Sequence, residues 1–479
     1  MPATLRRELT LLSATALVVS NMIGTGIFTT TGFLAGDLGQ PALVLGIWIV
    51  GALMVIAGCL SYAELGINFP RSGGEYVYLR EAWGPAWGFM SGWVSFLAGF
   101  AAPTALSALA FSEYLSHFFP ALAVSRPATG TGPAFGWLHL GVGQGLALAI
   151  LALFTVINIL GLTIAARLQS AITILNLAVL AAFLVLAFTV GQGRWSNFVL
   201  TSTRTSTHGL GAQFAASLVF VMFAYSGWNA ASYVAGEIKT PERTLPRAML
   251  AGAGIVALFY VALNAAFIYA LPLESLRGVI SVGAISAKAL FGARYGGLFV
   301  VVMAAAILGC VSAMTLVGPR VYYAMARDGC FFKEAGEIHP RWRTPTAAIL
   351  YQWVASGLMV VTGTFEVLMT YIGFALVLSA AMAAAGIFRL RHRPAWKPLA
   401  TVSWCYPLVP VLFVGSSLWM LVYTLALKPR PSLLGLLTIA GGGLLYHWLF
   451  RPRQEVAGDS ANGSGPSADR AGGENKLRA

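Results

Sequence analysis

Twelve apolar stretches, separated by short polar loops, leave this chain few folds. They run approximately over 10–36, 41–67, 85–118, 143–164, 169–191, 211–236, 246–271, 294–327, 345–363, 366–390, 402–427 and 432–450. A bilayer crossing needs about twenty apolar residues as a helix, and a backbone in lipid must satisfy its polar groups internally. Of the 479 residues, 58% are hydrophobic and only 10% charged, a balance foreign to soluble globular domains. The expected fold class is therefore an all-α polytopic membrane protein with twelve transmembrane helices. The ninth and tenth spans are separated only by a Thr362–Thr364 turn.

The formal net charge of +13 would point to nucleic acid in a soluble protein. Here the basic residues cluster in short loops between spans, where they set orientation, so no nucleic-acid partner is expected. Placing the amino terminus in the cytoplasm puts Arg71, Lys239, Arg327, Arg391, Arg453 and most of the other Lys and Arg on that side. The opposite loops hold few, among them Arg126, Arg194, Arg277 and Lys428. Both termini are then cytoplasmic, in a cell inner membrane. A short amino terminus with Arg6 and Arg7, lacking a small-residue cleavage site, reads as leading into a retained span. Residues 1–9 form that terminus, and 451–479, rich in Gly, Ser and charge from residue 454 on, read as a disordered tail. Cys59, Cys310, Cys330 and Cys405 show no paired spacing, so neither disulfide, metal site nor cofactor is expected.

Two spans carry an irregularity. Ser20–Thr31, SNMIGTGIFTTT, sets Gly24, Thr25 and Gly26 at the middle of an apolar segment, where they weaken helix propensity. Either neighbouring helices pack closely there, or the helix is broken and the free N–H groups of its second half offer a partial positive charge to a carboxylate. In span six, Phe223–Gly227, FAYSG, again places Ser and Gly near a midpoint. Spans one and six are corresponding positions if residues 10–191 and 211–390 are two five-helix repeats of inverted topology, with 402–450 as two trailing helices. Paired interruptions then favour a midplane binding site.

The strings GTGIF in span one, AELG at Ala63–Gly66, FPRSGGEYVYLREAWG at Phe69–Gly84, FAYSGWNAASYVAGEIKTPERTLPRA at Phe223–Ala248 and GPRVYYAMARDG at Gly318–Gly329 resemble the amino acid-polyamine-organocation superfamily. They are most similar to bacterial relatives of the L-type amino acid transporters. The resemblance implies a LeuT-like 5+5 inverted repeat with helices 1 and 6 broken, moving amino acids by alternating access. It further implies that Gly24 and the N–H groups of Thr25 and Gly26 bind the substrate carboxylate. The substrate amine would lie at carbonyls of Met22, Ile23, Phe223 and Ser226. A bulky residue at Gly26 should then abolish binding and leave folding largely intact. Phe223 would gate the site, with Ala224, Tyr225 and Gly227 beside it. Ala101, Ala105 and Ala108 on span three and Met314 on span eight would surround the ligand side chain, although alanines on membrane helices equally serve packing. None of these is charged, which favours neutral amino acids, since an unpaired buried cation is costly.

Coupling candidates are fewer. Many relatives carry a lysine midway along span five where this chain has Asn176, which cannot titrate. Ser312 and Thr315 on span eight offer oxygen ligands for sodium, but such hydroxyls more often bond their own helix. Glu64, Glu113 and Glu237 sit near interfaces, with structural roles for all three, and Glu237 is a gate candidate. Facilitated exchange and proton symport both stay open. The loop 119–142 lacks the cysteine by which eukaryotic relatives join a glycoprotein, so no disulfide-linked heavy chain is expected. An enzyme would need a motif such as HExxH or GxSxG, which is missing; a channel would need a charged or carbonyl-lined filter; a sensor would bring a soluble signalling domain.

Overall fold

The computed structural model describes residues 9–450 apart from Ser72, 125–140, Gly161, Arg343 and 401–404; for 162–173 and Glu237 it describes the backbone only. The expected tail and the expected cytoplasmic amino terminus up to residue 8 lie outside the described residues. Every described element is a helix, with one isolated parallel bridge between Leu9 and Ile238. In chain order these are α1 (Leu11–Met22), α2 (Thr25–Leu38), α3 (Pro41–Asn68), α4 (Glu75–Trp83) and α5 (Pro85–Val94). A π-helical stretch (Ser95–Ala101) carries α5 into α6 (Ala102–Leu115). Then come α7 (Val142–Leu160), α8 (Leu162–Thr189), α9 (Leu210–Ala224), α10 (Ala230–Tyr233), α11 (Pro241–Ala270), α12 (Leu273–Leu276) and α13 (Val282–Arg327). The chain closes with α14 (Thr346–Thr362), α15 (Phe365–Leu390), α16 (Leu408–Leu427) and α17 (Pro429–Leu445).

Local chemistry sets many of these boundaries. Proline stands in the first turn of α3, α5, α11 and α17, where its missing N–H costs nothing. Thr10 caps α1 by accepting from the Ser13 N–H. Thr364 caps α15 by accepting from the Val367 N–H, so the short turn after Thr362 does divide two helices. Two elements differ from the sequence expectation. α4 occupies a stretch read as loop, because Glu75, Val77, Tyr78, Leu79 and Ala82 bury one side of an otherwise polar helix. α13 begins at Val282 rather than near 294, because a kink at Gly292, with φ of 75°, joins a small-residue helix to the long one.

Among the described residues eight helices are long and apolar enough to cross a membrane, or nine with α1 and α2 counted as one span bent by 42°. Ile174–Thr189, α9 and α14 are shorter apolar helices. Large apolar side chains face outward along the bundle, including Leu53 on α3, Leu258 on α11, Val422 on α16 and Leu437 on α17. So continuous an apolar exterior suits lipid rather than water. The chain is a multi-pass helical membrane protein.

Side-chain and backbone bonds knot the two ends of the bundle. At the end that holds Leu9, the Glu64 carboxylate, fully buried on α3, takes a bidentate bond from Arg391 at 2.7 and 2.8 Å, another from Trp396 Nε1 and one from the Leu399 N–H. This is the anchoring role expected of Glu64. At the opposite end, Ser202 N–H donates to Gly39, Thr205 N–H to Gly36 and Gly278 N–H to Gly32, which straps α2 to two loops. Lys428 pairs there with Glu366, and Glu113 accepts from the Val124 N–H.

Candidate functional site

Both irregular stretches are interruptions. α1 stops at Met22, Gly24 is extended, and α2 starts at Thr25 with no side chain capping its first amides. α9 stops at Ala224, and α10 resumes only at Ala230. The two breaks lie against each other. A Cβ at Gly26 would stand 2.4 Å from Ala224 Cα, so the close approach requires glycine. Gly227 has φ of 95°, and a Cβ there would lie 2.5 Å from the Asn21 carbonyl oxygen. Close packing and helix breaking, separate alternatives from sequence, coincide at the same residues.

One side chain joins the two broken ends. The Tyr260 hydroxyl, fully buried on α11, lies 2.6 Å from the Met22 carbonyl and 3.1 Å from the Ala224 carbonyl. Its ring packs against Trp48 and Tyr225, with centroids 5.4 and 5.1 Å away. Since each carbonyl oxygen has two lone pairs, Met22 keeps acceptor capacity beyond this bond. The Phe223 carbonyl accepts from the Ser226 N–H at 3.0 Å. The Cys310 thiol of α13 closes off the start of α2, 2.7 Å from an ideal Cβ at Gly24 and beside the Thr25 N–H.

Beside the breaks opens a cavity of about 130 Å³. Leu17 and Asn21 of α1 and Met222 of α9 line it, together with Ser226, Gly227, Trp228, Asn229, Ala230 and Tyr233. Span three contributes Ser95, Gly99, Phe100 and Pro103, and α13 contributes Met314 and Val317. Of the expected set, then, Ser226, Gly227 and Met314 line the cavity. Ala101, Ala105 and Ala108 are fully buried in helix packing and do not line it; the Ala101 carbonyl accepts from Ser356. Phe223, Ala224 and Tyr225 are buried at the break, with Ile23 opposite.

The coupling candidates scatter. Asn176 donates to the Ala306 carbonyl of α13, 3.3 Å away, and makes no bond to α1 or α2 among the described residues. Thr315 donates to the Val311 carbonyl of its own helix, the backbone bond expected of such a hydroxyl, and Ser312 is buried on the same helix, α13. The Glu237 side chain lies outside what is described. Two functional candidates went unnoticed in the sequence: Tyr260, hidden as one aromatic among many in an apolar span, and Glu75, inside the motif FPRSGGEYVYLREAWG. Glu75 is 3% exposed at the start of α4 and lines the cavity. Its Oε1 accepts from Tyr62 at 2.9 Å and from Asn229 Nδ2 at 2.8 Å. Burial pushes its carboxyl up to about 7, against the lowering effect of those two donors. No group of three or more His, Cys, Asp or Glu that could hold a metal ion occurs among the described residues.

Two facing helix breaks beside a cavity in a helical membrane bundle are features found in solute transporters with discontinuous helices. The family model described as Amino acid permease matches residues 9–439, and the chain belongs to this family, whose members are transporters rather than enzymes. The serine/threonine exchanger SteT of Bacillus subtilis (strain 168) is 30% identical over 451 residues, covering 92% of this chain and 97% of that one. The large neutral amino acids transporter small subunit 2 of Homo sapiens is 29% identical, covering 94% and 82%. The human cystine/glutamate transporter is 28% identical, covering 94% and 87%.

Proposed function

We propose that this chain is a permease that moves neutral L-amino acids across the bacterial cytoplasmic membrane by alternating access, as an exchanger or facilitator. The observation that carries the reading is the pair of facing breaks held by Tyr260. The uncapped amides around Gly24, Thr25 and Gly26 suit a carboxylate, and the carbonyl ends at Met22, Ile23, Phe223 and Ser226 suit an ammonium. The two sets of groups match the two charged ends of a zwitterion. Apart from Glu75, the described residues of the cavity wall carry no acidic or basic side chain, which favours a neutral ligand side chain. Similarity to an exchanger and to a large neutral amino acid transporter supports the same class.

The proposal includes twelve spans, reached by adding the three shorter apolar helices to the nine candidates, arranged as two inverted repeats over 10–191 and 211–390 with 402–450 trailing. The end that holds Leu9 also gathers Arg71, Arg391, Arg393 and Lys397 through their bonds, and we place it and both termini in the cytoplasm. No disulfide-linked heavy chain is part of the proposal. Proton symport is the second reading, and Glu75 is the observation that favours it.

The test is uptake of labelled L-amino acids into proteoliposomes, with and without internal amino acid and a proton gradient. Saturable, stereoselective uptake stimulated by internal substrate is expected. Analogues lacking the carboxylate, or lacking the amine, should compete at least about tenfold less well, since each loses a charged hydrogen-bonded contact. Equal competition by a decarboxylated amine would remove the zwitterion site, and uptake that fails to saturate would move the protein to the channel class. No uptake of any amino acid would move it to a sensor.

A further inference from the structure

We infer that Glu75 is a proton-binding site of the cavity, and that opening at the Leu9 end releases this proton to the water on that side. The inference rests on the permease reading above. Among the described residues lining the cavity, Glu75 is the sole Asp, Glu, Lys, Arg or His. Both of its donors, Tyr62 and Asn229, converge on Oε1, and Oε2 takes no hydrogen bond among the described residues. Asn229 belongs to the interruption between α9 and α10, so the carboxyl is tied directly to a moving part of any alternating-access cycle.

The groups facing Glu75 from the packed elements are Tyr62 of α3, Tyr78 of α4 and Tyr233 of α10, none of them cationic. The nearby charges are engaged elsewhere. Glu64 of α3 holds Arg391, Glu81 of α4 holds Arg71 and Arg393, and Arg80 lies beside Tyr76 and Asp328. An ionised Glu75 would therefore be a buried carboxylate without a counter-ion, which is costly. A proton on Oε2 removes that cost without disturbing either bond to Oε1. Two donors and a helix start favour the anion, desolvation opposes it, and the balance places the carboxyl at about 7. When the cavity opens, water solvates the group and it ionises toward the ordinary carboxylate range; on closing, Oε2 takes a proton back from the same side.

The sign follows from linkage. A carboxyl raised in the closed state favours closure below its ordinary value and loses that effect as pH rises toward about 7. Across that window the closed-to-open ratio falls about tenfold per unit of pH, and it is flat above. Amino acid exchange in sealed vesicles of one orientation should follow the pH on the Leu9 side and ignore the pH on the other. In Glu75→Gln, whose amide oxygen accepts the same two bonds without a charge, whatever exchange remains should show a flat pH profile. Wild-type exchange without an inflection, or an unchanged profile in Glu75→Gln, overturns the inference. The wild-type protein in lipid gives a reading independent of transport and of the variant: the infrared band of a protonated carboxylic acid should disappear as the pH passes 7. Persistence of every such band, or absence of one at acid pH, overturns it as well, whereas failure of exchange alone bears on the permease reading.

Discussion

Tyr260 places one hydroxyl proton between two carbonyls that end separate helices. Tyr260→Phe keeps the ring contacts with Trp48 and Tyr225 and removes only those polar links, each worth about 1 kcal/mol net. Uptake at low substrate concentration should fall about tenfold with a modest drop in the unfolding temperature. Unchanged uptake would mean that the two ends need no tie. The residues of the breaks themselves were legible from sequence, because Gly-Thr-Gly and Ser-Gly are out of place in the middle of an apolar helix. Tyr260 and Glu75 were not. A tyrosine in a span resembles any core aromatic, and a glutamate in a polar stretch resembles a solvated one until folding buries it. The three alanines of span three are fully buried, which agrees with the packing role that the sequence offers them equally.

At the scale of elements, the approach of α2 to α9 changes what Gly26 can be used to test. The sequence presents it as a binding residue whose replacement spares folding. A Cβ there meets Ala224 backbone rather than the flexible end of a side chain. Gly26→Leu should therefore cost about 1–3 kcal/mol by forcing the helices apart, read as a lower melting temperature and poorer yield in detergent, with or without ligand. A variant as stable as the wild type would show that the breaks are more loosely packed than the structure has them. α4 and the start of α13 escaped the sequence reading for one reason. Both are short helices beside long ones, and neither has the twenty-residue apolar run by which spans announce themselves.

For the whole molecule, hydropathy sufficed to show an all-helical, multi-pass membrane protein, because bilayer thickness fixes the length of an apolar span. Which segments touch is set by side-chain pairs far apart in sequence, such as Glu64 with Arg391, and no local pattern carries that. Arg391→Met would leave the buried Glu64 with Trp396 and a backbone amide as donors but no cation. It should destabilise the protein by about 3 kcal/mol, measured as thermal unfolding in lipid, and the double variant with Glu64→Leu should recover much of the loss. A single variant that melts like the wild type would reduce this pair to a surface contact.

The strap at the far end has a mechanical consequence. Gly32, Gly36 and Gly39 each accept a backbone bond from a connecting loop, and the Arg204 Nε donates to the Asp37 carbonyl. The second half of the broken helix is thus riveted to the chain between α8 and α9 and to the turn after α12. Whatever swings outward on that side swings as one plate, and the largely exposed segment 199–209 is its handle: a nanobody that grips it would clamp the plate in one position.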